Sequence, residues 1–132
     1  MKFHHIGIFC NTINEGKKNI LNLLKPKKIS KITYDKNLGV KVLFITDKDN
    51  IIYEIVAPYG KKNPVSKILK QKKNILNHIA YEVKNFDNVI LKLRSKGFAP
   101  LGRAQPALAF KNMRVCFFLT PLNFIIEVIE SV

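Results

Sequence analysis

Displacing the chain against itself by 73 residues, without a gap, lays His5-Ile6 on His78-Ile79, Val42 on Val115 and Phe44 on Phe117. The same displacement lays Ile52 on Ile125 and Glu54 on Glu127, so in each half a glutamate follows the histidine by 49 residues. A long period seen twice describes a duplicated module rather than a solenoid of short repeats. It also restricts the fold severely: whatever topology the first half adopts, the second half must adopt as well.

Each half reads as the same series of elements. In the first, "KFHHIGIF" alternates as a strand, and "TINEGKKNILNLL" follows with Thr12 and Glu15 in capping-box spacing. Pro26 closes that helix. Strands are then expected at 28–34, 40–46 and 50–57, with "DKDN" turning between the last two. In the second, "ILNHIAYEV" is a strand and "NFDNVILKLRSKG" a helix, with Asn85 at its N-cap and Gly97 just past its end. A short strand near Phe98, "MRVCFFLT" and "FIIEVIE" complete it. The expected fold is α+β: two tandem βαβββ modules. Module one spans 1–58 and module two 75–132. Residues 59–74 are expected to form a linker helix, with Asn63 as cap and Pro64 at its first position.

A chain of 132 residues with 47% hydrophobic and 24% charged content fits one globular domain, 1–132. No apolar run approaches the roughly 20 residues that cross a bilayer. The opening segment is too histidine-rich and its apolar run too short for a signal peptide. Cys10 and Cys116 match no metal or redox spacing and are expected as buried thiols of a cytoplasmic protein. The net charge of +14 raises the question of nucleic acid. However, the lysines are scattered, and no aromatic residues interleave with "KPKK" or "KKNPVSKILKQKK" as a single-strand binder requires. Nucleic acid is therefore not an expected partner. Lys61, Lys62, Lys67 and Lys70 are expected on a solvated helix face, with attraction for a phosphate-bearing ligand as the alternative.

The chain has only three histidines, and two of them open equivalent strands. Strand side chains alternate between faces, so His5 shares a face with Gly7, and His78 with Ala80. A small residue two positions on leaves room beside each imidazole. The opposite faces, Ile6 and Ile8, and Ile79, Tyr81 and Val83, are expected against the helices. Glu54 and Glu127 interrupt the apolar strands "IIYEIVA" and "FIIEVIE". For either alone, a solvent-facing position on an edge strand would suffice. Two at matched positions, each with its histidine, point instead to buried carboxylates that are paired or coordinate a metal. If the modules pair about a pseudo-twofold axis, His5, Glu54, His78 and Glu127 converge. Such a set suits a divalent ion: Zn, Ni, Co, Mn or Fe.

The segments "HHIGI", "GVKVLFI", "IIYEIVAPYGKKNPVSKIL", "NHIAYEV" and "IIEVIE" resemble the vicinal-oxygen-chelate superfamily over essentially the full length. That superfamily includes the glyoxalases, bleomycin-resistance proteins and extradiol dioxygenases, and the similarity is to its methylmalonyl-CoA epimerase-like branch. The resemblance implies a curved mixed sheet around a central metal-binding cup, commonly within a homodimer. It assigns the metal to His5, Glu54, His78 and Glu127. It implies a metal-dependent isomerase, epimerase or lyase that stabilises enolate-like charge on a small oxygen-chelating substrate, such as a CoA thioester. The catalytic glutamate that epimerases carry on the third strand is replaced here by Val42. Glu127 is then the candidate proton carrier, and Tyr53, Tyr81, His4 and Lys41 are weaker ones, His4 being expected to point away from the His5 face. "AQPALAFKNMRVCFFLTP" resembles a glyoxalase-like subgroup in which Arg103, Gln105 and Lys111 would line a substrate entrance, an ordinary solvated loop being the alternative. A non-catalytic small-molecule binding protein of the same fold is the rival reading. A dioxygenase ranks third, because the chain has only His4 left for the extra histidine.

Overall fold

Thr12 marks the first turn in the chain's path: its hydroxyl accepts the Glu15 N–H at 3.1 Å and starts the helix that follows the first strand. The computed structural model describes residues 1–61, 65–66 and 75–132. It divides into two compact units, His5–Asn77, and Met1–His4 with His78–Val132.

β1 (Lys2–Phe9), part of the first unit from His5 on, leads into α1 (Ile13–Leu23), β2 (Pro26–Ile29), β3 (Thr33–Asp35), β4 (Val40–Asp47) and β5 (Ile52–Pro58). β1 runs parallel to β5, β5 is antiparallel to β4, and β2 and β3 both pair antiparallel with the other edge of β4. Asp47 makes the β4–β5 turn by accepting the N–H groups of Asp49 and Ile51 at 2.8 and 3.0 Å. Ile13 and Ile20 of α1 pack with Cys10, Leu43, Ile45 and Ile55 as a helix-side core. Gly16 permits the close approach: a Cβ there would sit 2.5 Å from Ile55 Cγ2 and 2.7 Å from Cys10 Sγ.

The second unit repeats this topology. β6 (Ile75–Val83), part of this unit from His78 on, is followed by α2 (Phe86–Ser95), β7 (Ala99–Pro100), β8 (Gln105–Ala107), a 3-10 turn (Leu108–Phe110), β9 (Met113–Leu119) and β10 (Ile125–Glu130). β6 runs parallel to β10, β10 antiparallel to β9, and β7 and β8 pair with the far edge of β9. Val83, Cys116, Phe118 and Val128 meet Phe86 and Leu93 of α2. Gly97, at φ +88°, ends α2 by letting its own N–H reach Arg94 O and that of Phe98 reach Leu93 O.

Local details differ from expectation in four places. The strand expected at 28–34 is two, β2 and β3. Ser30 bonds Phe44 through both its N–H (2.9 Å, to Phe44 O) and its hydroxyl (2.8 Å, from Phe44 N–H), after which Lys31 and Ile32 leave the ladder. The second unit likewise has a split strand, with β8 formed in a segment expected to be loop. Asn85 stands at the N-cap of α2 but adopts the left-handed conformation (φ 53°, ψ 51°) and makes no capping bond with its side chain. Of the expected linker helix, Val65 and Ser66 are helical and Val65 is fully buried, whereas Tyr59–Lys61 are non-helical. Asn63, Pro64, Lys62, Lys67 and Lys70 lie outside the described residues.

Candidate metal centre

The strand registers bring each glutamate to its histidine. In the first unit Gly7 lies opposite Glu54 across the parallel β1–β5 pair, and His5 is two residues before Gly7 on the same face. His5 Nε2 then stands 3.3 Å from Glu54 Oε1, with both side chains buried. The second unit has the same construction, with Ala80 opposite Glu127. There His78 Nε2 stands 3.2 Å from Glu127 Oε2, again with both residues buried. The solvent-facing alternative for the two glutamates is thereby excluded.

Phe44 of β4 lies directly opposite Glu54, and Phe117 of β9 directly opposite Glu127. Their rings meet the imidazoles nearly at right angles, Phe44–His5 at 5.8 Å and 71°, Phe117–His78 at 5.3 Å and 85°. The repeat aligns these phenylalanines, and register and ring geometry together place each one opposite the glutamate and against the histidine of its pair.

In each pair a buried imidazole nitrogen and a carboxylate oxygen are in close contact, and the same atoms are metal ligands. The donor chemistry fits a divalent ion. Each of His5, Glu54, His78 and Glu127 offers one nitrogen or carboxylate oxygen of the kind first-row divalent ions accept.

The other sequence candidates fall elsewhere. Tyr53 and Tyr81 occupy the opposite strand faces and pack against the helix-side cores, on the side away from the His–Glu pairs. Lys41 stands over the rings of Tyr34 and Tyr59 at 5.9 and 6.0 Å. His4, as expected, is no part of the His5 pair: its Nε2 is 3.6 Å from Glu82 Oε1, and its ring meets Phe110 edge-on at 5.5 Å. Val42 is buried, between Thr33 and Val56 in the neighbouring strands. Arg103, Gln105 and Lys111 are all exposed; Gln105 pairs with Val115 in β8, and Lys111 follows the 3-10 turn at φ 54°. Cys10 and Cys116 are buried free thiols. Burial, with help from Glu15, pushes Cys10 up to about 11, and burial raises Cys116 too, so neither is a thiolate nucleophile near neutral pH.

No curated protein matches the chain. Among solved structures, a hypothetical protein from Bacillus halodurans superposes with a TM-score of 0.83 at 22% identity, covering 99% of this chain and 94% of that one. Methylmalonyl-CoA epimerase from Mycobacterium tuberculosis gives 0.82 at 18% identity over 99% and 88%. A Streptomyces coelicolor methylmalonyl-CoA epimerase variant in complex with 2-nitronate-propionyl-CoA gives 0.80 at 18% over 100% and 98%. At such identities the likeness establishes a glyoxalase-like α+β fold and nothing finer. The family model for the Glyoxalase/Bleomycin resistance protein/Dioxygenase superfamily matches residues 4–117. That span includes His5, Glu54 and His78 and most of both repeats, so the chain belongs to this superfamily.

Proposed function

We propose that His5, Glu54, His78 and Glu127 form one ligand set for a divalent ion, and that the protein is a metal-dependent isomerase, epimerase or lyase. The observation that carries this reading is the repeated buried His–Glu pair, at 3.3 Å in one unit and 3.2 Å in the other. A structural ion pair would need no duplicate; two equivalent pairs supply the two nitrogens and two oxygens of a four-ligand site. Zn, Ni, Co, Mn and Fe all accept that set. Once bound, such an ion supplies Lewis-acid stabilisation of negative charge on substrate oxygens.

This chain's own residues do the remaining work. The two histidines orient the carboxylates, and the buried faces around them keep water away. Glu127 is the proposed proton carrier, because Val42 provides no carboxylate. The substrate proposed is a small oxygen-chelating molecule, and an acyl-CoA is the first to try. Relatives of the same fold have been solved with methylmalonyl-CoA and with 2-nitronate-propionyl-CoA. Arg103, Gln105 and Lys111 are proposed to line its approach, and a homodimer is the proposed assembly.

Metal analysis of protein purified under metal-replete conditions tests the site. The expected result is stoichiometric divalent metal in the wild type, lost in His5→Ala and in His78→Ala; a metal-free wild type would sink the proposal. Incorporation of solvent deuterium at the α-carbon of an acyl-CoA tests the chemistry. Glu127→Gln should slow it by about 10²–10⁴-fold, the usual contribution of a positioned acid–base group. The buried Val42 supports one rival reading, a non-catalytic binding protein of the same fold. Acyl-CoA binding without any exchange would favour it.

A further inference from the structure

We infer that Phe44 and Phe117 are positioning residues that fix the two imidazoles as metal ligands. This rests on the metal reading above. Each phenylalanine stands opposite the glutamate of its pair and places its ring against the histidine of the same pair. The arrangement occurs twice, at 5.8 Å and 71° and at 5.3 Å and 85°, so it belongs to the design of the pair rather than to local packing in one half.

The physical need is clear from the imidazole torsion. The second side-chain dihedral of histidine is broad and roughly two-fold, so a ring in a pocket with spare room can turn its lone pair away from an ion. Gly7 and Ala80, the small residues two positions along on the same strand faces, set no bulky side chain against that motion on one side. The phenyl group limits it on another, because an edge-to-face aromatic pair is favourable only over a narrow range of ring orientations. Other phenylalanines of the second unit, such as Phe86 and Phe118, lie in the helix-side core. Phe44 and Phe117 are only partly buried, whereas Val42, Val56, Val115 and Ile129, on the same strand faces, are buried. A leucine there would keep apolar cover but lose the flat ring that meets the imidazole.

The test is titration of the apo protein with Co(II) alone, reading both affinity and the ligand-field absorption bands. Phe44→Leu or Phe117→Leu should each weaken binding by about threefold to tenfold, the range an edge-to-face pair supports. The double variant should lose about 10- to 100-fold and shift the bands, as loss of a ligand's outer support does. Phe44→Tyr and Phe117→Tyr keep the ring and should bind within about twofold of wild type. Melting of each apo variant checks that the fold persists. A double leucine variant with wild-type affinity and spectrum overturns the positioning role while leaving the metal reading intact. Tyrosine variants as weak as the leucine ones overturn it too. Wild-type protein that binds no Co(II) overturns both.

Discussion

At positions 5, 44 and 54 the first unit carries the same side chains as the second at 78, 117 and 127. At 12, 16 and 41, against 85, 89 and 114, the two carry different ones. The conserved set lies on the strand faces that hold the His–Glu pairs. The divergent set belongs to the helices and the opposite strand faces. Each half has solved its own packing problem independently, because helix-side packing requires only the right volume and polarity. A histidine and a glutamate at 3.2–3.3 Å require specific side chains at specific registers. The difference argues that one task is shared by both halves and that it resides in those pairs.

The largest expected effect comes from forcing the helix packing of one half onto the other. Where the first unit has Cys10, Gly16 and Ile55, the second has Val83, Val89 and Val128. Val83 and Val128 are buried core residues, and Val89 packs against them. Gly16→Val places atoms 2.5 Å from the fully buried Ile55 Cγ2, where nothing can yield cheaply. We expect a loss of about 3 kcal/mol, the upper part of the usual overpacking range. Ile55→Val alone should cost about 1 kcal/mol by leaving a small cavity. Combined, the two should cost less than their sum, and urea unfolding of the double-mutant cycle measures the coupling. Simple additivity would show that the two halves do not balance the same volume.

Much of this arrangement was readable in the sequence, for a definite reason. The repeat carried the topology, and strand alternation carried the faces of His5, His78, Tyr81 and Val83. Where reading failed, a side chain had replaced a backbone partner or a segment had no periodicity of its own. Ser30 breaks its strand through a hydroxyl bond to Phe44, which no apolar pattern records. β8 is a three-residue strand containing a proline, formed because the edge of β9 offers Val115 and Met113 as partners. Phe44 and Phe117 looked like ordinary strand residues until the register placed them opposite the glutamates. The four proposed ligands stood out because a carboxylate inside an apolar strand demands a partner.

The two N-caps give the next effect in size. Thr12 and Asn85 are equivalent under the repeat, yet Thr12 caps α1 from an extended backbone and Asn85 enters α2 through a left-handed one. Thr12→Ala should therefore cost about 1 kcal/mol through the lost bond to Glu15 N–H. Asn85→Gly should cost nothing and can stabilise slightly, since glycine suits φ 53° better and no capping bond is lost. Asn85→Ala should cost about 1–2 kcal/mol, through backbone strain alone. If Asn85→Gly proved as damaging as Thr12→Ala, the two caps would be working alike and the contrast would fail.

The smallest effect separates Lys41 from Arg114, again equivalent positions. Lys41 rests over Tyr34 and Tyr59, whereas Arg114 bonds Glu130 at 2.8 and 3.0 Å and Asp87 at 2.9 and 3.1 Å, above the ring of Phe86. The Arg114 hydrogen bonds hold the Glu130 carboxyl below its ordinary value of 4.5. A carboxylate lowered on folding contributes stability that is present above that ordinary value and disappears as pH falls through the lowered one. Arg114→Lys keeps the charge but loses the two-pronged geometry, so Glu130 should titrate closer to 4.5. The variant should therefore melt slightly below wild type at neutral pH, and the gap should close as the pH drops well below 4.5. Lys41→Ala removes a contact with two neutral rings and should lower melting by the same amount at both pH values. Because the guanidinium is half-exposed, added salt should shrink the Arg114 gap further. A pH-independent Arg114→Lys deficit would mean that the arginine acts through its stacking on Phe86, much as Lys41 acts through its tyrosines, and the two halves would then differ less on this face than the Arg114 ion pairs suggest.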